Sequence, residues 1–409
     1  MSAGTGGGFT YAAAPMLSVL LAVALAAPDG GADAPADFID DVKLLYQVVT
    51  CQEGPLPAPL DAKVVEGYCA IQRPRFKTYR EHWGTLAKDF LQKLQPPELP
   101  AELVYPFGGG DLMSALTAYA QASPITTLSL EQAGDPRRLK GLKDPAVLKQ
   151  SLSLVAQVSS STLLSNDSLS RLLSATQRGE LPAQLSMHLM GLALFDLEPV
   201  SVRYFKVLPD GSLHYYSLAE VEALEGKKAQ ALGSGWRSPD FSEAFANVEV
   251  QFVPRGQPQA ARRVHRHLAA DLSNDGLRKK APQVLRHLEA KGRISAMTKA
   301  ASYLLWRGDF SVIRDYLTSH AAYMVSDSTG VPPRFWKKAG CAVATYGTFE
   351  KSFLPAWEEY QAELRAAFPT AKPLPMRFGY PDGSDARRSH LLTARCSGVV
   401  PDGGIAPLK

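Results

Sequence analysis

LVYPFGGGDLMSALTAYAQASPITTLSLEQAG, residues Leu103 to Gly134, is the stretch that decides the fold class of this chain. Leu103 to Phe107 is a short apolar run with a Val and two aromatics, a composition that suits a buried strand. Gly108, Gly109 and Gly110 follow, and glycines allow a sharp reversal and the close approach of another backbone or a ligand. Asp111 stands where a helix N-cap belongs, because its carboxylate can accept from the orphan N–H groups of a first turn. Leu112, Leu116, Tyr119 and Ala120 give that helix an apolar face, Pro124 ends it, and Ile125 to Leu130 reads as a second strand closed by Glu131. So short a strand–helix–strand unit implies parallel strands joined by a right-handed crossover.

A second stretch repeats the plan. ASYLLWRGDFSVIRDYLTSHAAYMVSDSTG, from Ala301 to Gly330, sets Gly308 and Asp309 against Gly110 and Asp111, and Asp327 against Glu131. Glu131 lies about twenty residues past the glycines, where dinucleotide-binding units place the acid that holds a ribose. The glycine pattern is incomplete, because Met113 occupies the third glycine position. Gly108, Gly109, Gly110, Asp111, Glu131, Asp309 and Asp327 are therefore candidate ligand-binding residues. The same residues also suit two ordinary tight turns with capping acids, and the sequence leaves both readings open.

Around these units the expected fold is α/β. It is a mixed sheet with two Rossmann-like βαβ units (103–131 and 301–327), an antiparallel middle segment (199–270) and surrounding helices. Helices are expected over Phe38–Val49, Phe76–Leu94, Pro145–Val158, Asp167–Thr176, Leu181–Leu194, Gly276–Lys291 and Phe353–Phe368. In the middle segment, Val200–Leu208 and Ser212–Ser217 flank Pro209-Asp210-Gly211 as a hairpin, and Val248–Val253 and Arg263–Ala269 read as strands. Met376–Tyr380 and Ser389–Cys396 read as closing strands. The chain from residue 38 to residue 409 is expected to be one domain.

Composition bounds the function. A net charge of +4 over 409 residues predicts neither nucleic-acid nor membrane-surface binding. Met16 to Ala27 is apolar and of signal-peptide length, too short to span a bilayer, and Ala24-Leu25-Ala26 offers a small-x-small cleavage site. No Lys or Arg precedes it, so either the α-amino group supplies the positive charge or translation begins at Met16. Residues 1–26 are thus expected to be a signal peptide and residues 27–37 a disordered linker, giving an exported protein, periplasmic or extracellular, with no membrane span in the mature chain. The four cysteines fit an oxidising compartment. Sequence-local pairing joins Cys51 to Cys69 and Cys341 to Cys396, contributing about 3 and about 4 kcal/mol by loop entropy.

No catalytic motif stands out. There is no C-x-x-C, no G-x-S-x-G elbow and no H-E-x-x-H. Asp327-Ser328-Thr329-Gly330 resembles the aspartic-protease turn only with its glycine displaced, and no second copy exists. His265, His267 and Asp271 share one strand face and could bind a transition metal. Arg263 lies on that face too, and a solvated face accounts for all four. His188 on its apolar helix reads as a satisfied core histidine. No metal and no cofactor is expected.

Taken together, VYPFGGGDLMSAL, TTLSLEQAGDPR, TKAASYLLWRGDFSVIRDYL, VSDSTGVPPRFW, TYGTF and MRFGYPDG resemble a family of exported bacterial proteins. The family carries Tyr-Pro-Phe-x-Gly-x-Asp, Leu-Glu and Asp-Ser-x-Gly-x-Pro signatures. The resemblance runs from about residue 40 over most of the chain. It implies a continuous domain and export, and it brings no activity. The expected function is binding of a small polar or carbohydrate-like ligand, or of a cell-envelope partner, near Gly108–Asp111. The alternatives are an envelope-directed hydrolase or Rossmann-like transferase, and a structural envelope protein without a pocket.

Overall fold

A computed structural model describes residues 34–166, 180–225, 243–351, 358–369, 371–379, 381–382 and 385–397. The expected signal peptide, most of the linker and the helix over Asp167–Thr176 lie outside them. In chain order the helices are α1 (Ile39–Val49), α2 (Ala62–Tyr79), α3 (Lys88–Leu94), α4 (Leu112–Ala118), α5 (Pro145–Ser165), α6 (Ala183–Leu194), α7 (Leu218–Leu224), α8 (Pro282–Glu289), α9 (Ser311–His320), α10 (Pro333–Lys338) and α11 (Glu358–Ala367). The strands are β1 (Leu103–Pro106), β2 (Ile125–Ser129), β3 (Leu197–Val207), β4 (Leu213–Tyr215), β5 (Asn247–Pro254), β6 (Arg263–Ala269), β7 (Ile294–Thr298), β8 (Ala321–Ser326), β9 (Ala342–Gly347), β10 (Pro381–Asp382) and β11 (Asp385–Arg395).

Among the described residues these strands form one 11-stranded sheet. Its centre is a parallel block in the order β8-β7-β1-β2-β6. The units β1–α4–β2 and β7–α9–β8 therefore lie in one sheet with their strands pointing the same way, and β1 and β7 are direct neighbours. Antiparallel wings extend both sides. Beyond β6 come β5, β3 and β4. Beyond β8 comes β11, which pairs β9 on its other side.

Because side chains alternate across a strand, neighbouring residues serve different cores. Leu103, Tyr105 and Ile125 pack with α1 to α7, whereas Val104, Leu128 and Leu268 pack with α8, α9 and α10. β1, β2 and β7 are buried at every position, covered on both faces, although β2 and β7 carry Ser and Thr among their apolar residues.

Several expectations need correction. The second unit begins with β7, not with Ala301, because residues 300–306 form a tight 3-10 turn rather than a strand. The antiparallel middle segment does run through β6, which pairs antiparallel with β5 and parallel with β2 and so joins the two parts of the sheet. Residues 376–379 are not a strand, and Ala342–Gly347 forms β9, a strand beyond those expected from sequence. The helix expected from Phe76 starts at Ala62, because Pro74 is accommodated on the exposed side of α2 instead of breaking it. The end of the expected linker is ordered: Pro35 pairs with Ser217, and Ala36 N donates to Tyr216 O.

Both local disulfides are formed, Cys51–Cys69 and Cys341–Cys396. The first ties the end of α1 to α2, and the second ties the approach to β9 to the end of β11. No helix among the described residues is long and apolar enough to cross a membrane.

Candidate functional site

In open α/β sheets ligands bind beyond the carboxyl ends of the strands, where the strand order reverses. Here that place is the β1/β7 boundary. The turn Phe107–Asp111 after β1, Lys299 after β7 and Asp327–Gly330 after β8 end strands there, while Glu131 follows β2 on the far side of β1, with its carbonyl accepting from His267 Nε2 of β6 at 2.7 Å.

The turn is shaped by crowding. A Cβ on Gly110 would come within 2.7 Å of Met187 Cβ on α6, so only glycine lets α6 close over the turn. Asp111 then caps α4 as the sequence predicts, with Oδ1 accepting from Ser114 N at 3.2 Å. Its other oxygen has a partner that the sequence did not reveal. Lys299 Nζ lies 2.8 Å from Asp111 Oδ2 and 2.8 Å from Ser114 Oγ, and Tyr105 OH donates to the same Oδ2 at 3.0 Å. Lys299 is completely buried and Asp111 is 3% exposed. Burial, and next the nearby Asp111 charge, push the Tyr105 hydroxyl well above its ordinary pKa, so it acts as a donor. Asn166, at the end of α5, donates to Ser114 Oγ and accepts from Gly379 N at 3.2 Å.

Asp327 is buried beside this group. Its Oδ1 accepts from Thr329 N at 2.8 Å and from the Thr329 hydroxyl. Gly379, at φ +66°, packs so tightly that a Cβ there would run into the Asp327 carboxylate. Ser328 Oγ is hydrogen-bonded to His390 Nε2, and Tyr360 OH donates to Ser328 O. The His390 ring is framed by Phe349 and Phe368, with centroids 5.2 and 6.1 Å away.

Glu131 is also buried, and burial raises its carboxyl above the usual range. Asp309 stands apart from the other acids. It is exposed and pairs with Arg307 at 2.8 Å, and α9 begins at Ser311 with no side-chain cap. It is not the equivalent of Asp111, because the strand of the second unit is β7 and ends at Thr298, before the 3-10 turn of residues 300–306. Lys299, which directly follows the fully buried β7, takes the corresponding strand-end place.

Behind the glycine turn lies a second polar group. His188, His265 and His267 have no exposed surface, which overturns the solvated-face reading of β6. The face carrying His265 and His267 is covered by α6. Asp271 lies past the strand, 3.4 Å from Lys280. Arg263 donates to Ala122 O. His188 Nε2 is 3.1 Å from Gly109 O, and its Nδ1 has no partner among the described residues, so this core histidine is only half satisfied. No group of three or more His, Cys, Asp or Glu among the described residues is placed to hold a metal ion. A separate groove of about 350 Å³ runs between α2 and α5, lined by Tyr68, Ile71 and Leu152 among others.

Comparison with known proteins finds no matching family model, no matching curated protein and no matching solved structure.

Proposed function

We propose that this chain is an exported, disulfide-containing protein that binds a small polar or carbohydrate-like ligand, or a cell-envelope partner, at the carboxyl edge of β1, β2, β7 and β8. Glu131 and Asp327 are the contacts on the ligand side, while Asp111 is committed to holding the turn. The observation that carries this reading is the buried Lys299–Asp111 pair at the β1/β7 reversal. A buried ion pair contributes little net stability compared with apolar residues of the same volume. A charged pair kept at the place where α/β sheets bind ligands fits a polar role there. Export is supported by the two disulfides, since such bonds persist in oxidising compartments. It is also supported by the resemblance to exported bacterial proteins.

The test is a thermal-shift screen of the disulfide-bonded protein against neutral mono- and disaccharides, amino acids and sugar acids. A ligand at a hundred times its Kd adds about 2.7 kcal/mol of stability. A hit whose shift shrinks in Glu131→Gln and Asp327→Asn supports the reading. A screen in which none of these compounds raises the melting temperature refutes the small-ligand form of the reading.

A second reading, an envelope-directed hydrolase, is favoured by one contact, Ser328 Oγ on His390 Nε2. A hydroxyl bonded to an imidazole is the pairing of a nucleophile with its base. A fluorophosphonate probe should then label Ser328 in the wild type and fail on His390→Gln. An unlabelled wild type excludes this reading.

A further inference from the structure

We propose that His188, His265 and His267 form an acid-sensitive latch, which holds α6 against β2 and β6 and, through His188, fixes the glycine turn of the strand-end edge. The latch lies beside the proposed ligand site but does not require that site to bind anything.

The hydrogen bonds set the proton positions. A carbonyl oxygen can only accept, so His188 Nε2 donates to Gly109 O at 3.1 Å, and His267 Nε2 donates to Glu131 O at 2.7 Å. In the neutral rings each Nδ1 is then a bare acceptor. That of His267 receives from the Thr127 hydroxyl at 3.2 Å or the Gln184 amide at 3.4 Å. Thr127 Oγ1 also lies 3.0 Å from His265 Nε2, and its one proton serves only one ring at a time. The Nδ1 atoms of His188 and His265 have no partner among the described residues.

The rings touch. The His188 centroid is 4.4 Å from that of His265 and 5.3 Å from that of His267. A charge on His188 therefore faces two other imidazoles, and a charge on either of the others faces His188. The charged or titratable groups around the cluster offer it little relief. From the end of β2 comes Glu131, whose buried carboxyl is itself biased toward the neutral form. From β6 comes Arg263, on the same face. Beyond the glycine turn, Asp111 is already paired with Lys299.

Burial, together with mutual repulsion at His188 and His265, favours the neutral rings. His188 is pushed down to about 3, His267 to about 4, and His265 well below its ordinary value. The direction of the pH effect follows. The folded values lie below the unfolded value of about 6.5. The stability held by the cluster is thus complete above that pH and is lost as pH falls toward the folded values. Acid favours states in which α6 has lifted and the rings are hydrated. Because His188 holds Gly109 O, the turn 107–111 loosens with it.

The test is hydrogen exchange by mass spectrometry on the ligand-free, disulfide-bonded protein, stepped from about pH 7 to about pH 4 and corrected for intrinsic rates. Peptides covering 183–194 and 107–111 should lose protection at higher pH than peptides from β7 and β8. His265→Phe keeps a ring but removes a titrating group, and should shift that loss to lower pH. His287→Gln removes a buried histidine on α8, away from the cluster, and should leave it unchanged. Uniform loss of protection, or an unaltered acid response in His265→Phe, overturns the latch. If His265→Phe fails to fold, ring resonances of the wild type decide. Rings that stay neutral while α6 remains protected agree with the latch, and a ring that charges near pH 6.5 in the protected protein refutes it.

Discussion

Lys299 Nζ sits 2.8 Å from Asp111 Oδ2, and the lysine is fully closed off from solvent. The two residues are 188 positions apart in the chain, and they join the two βαβ units at the ends of adjacent parallel strands. Removing one partner takes a buried counter-charge away from the other, so Lys299→Met should cost roughly 3–5 kcal/mol. Asp111→Ala should cost more than the roughly 0.5–2 kcal/mol of a lost cap, because it also removes the buried counter-charge of Lys299. The double variant Lys299→Met/Asp111→Leu should recover much of the loss. Urea melts of the three variants check this, and additive losses would show that the two side chains are not coupled.

Glu131→Gln should melt at or above the wild-type temperature at neutral pH. Burial raises the folded pKa of this carboxyl above its unfolded value. Its contribution is therefore complete below the unfolded pKa, about 4.3, and is lost as pH rises through the folded value. An amide avoids that loss. A clearly lower melting temperature would make Glu131 a structural acid and remove it from the site.

Asp309→Asn should change neither stability nor ligand response. Its pair with Arg307 is about half exposed, and exposed pairs contribute little. Thermal melts at low and moderate salt would reveal any hidden role.

The architecture was legible where one segment carried its own signal. Strand composition, the glycine turn, the Asp111 cap and the helix face together specified β1–α4–β2, and local cysteine spacing gave both disulfides. The second unit misled because ASYLLW is as apolar as a strand yet folds as a 3-10 turn, while the real strand, Ile294–Thr298, carries Ser and Thr on buried positions. The site was half legible. Acids at strand ends are visible in a sequence. The partner of Asp111 is set by which strands become neighbours, and no local pattern encodes that. From sequence His265 and His267 read as solvated, because Arg263 shares their face. What hides them is α6, whose position over β6 follows from the packing of Gly110 against Met187.

Reduction should affect the two ends unequally. The Cys341–Cys396 bridge closes a loop of 55 residues and the Cys51–Cys69 bridge one of 18. Cys341→Ser should therefore cost about 4 kcal/mol and Cys51→Ser about 3. Denaturant melts with and without reductant measure both. Equal losses would mean that native-state strain outweighs loop entropy.

The central claim is that the carboxyl edge at the β1/β7 reversal is a binding site, and a ligand titration followed by thermal shift tests it most directly. The account predicts that a neutral sugar or another small polar compound raises the wild-type melting temperature in proportion to the logarithm of its concentration. The shift should be abolished or much reduced in Asp327→Asn and retained in Asp309→Asn. A wild type that responds to none of these compounds, or a shift of equal size in both variants, would contradict it.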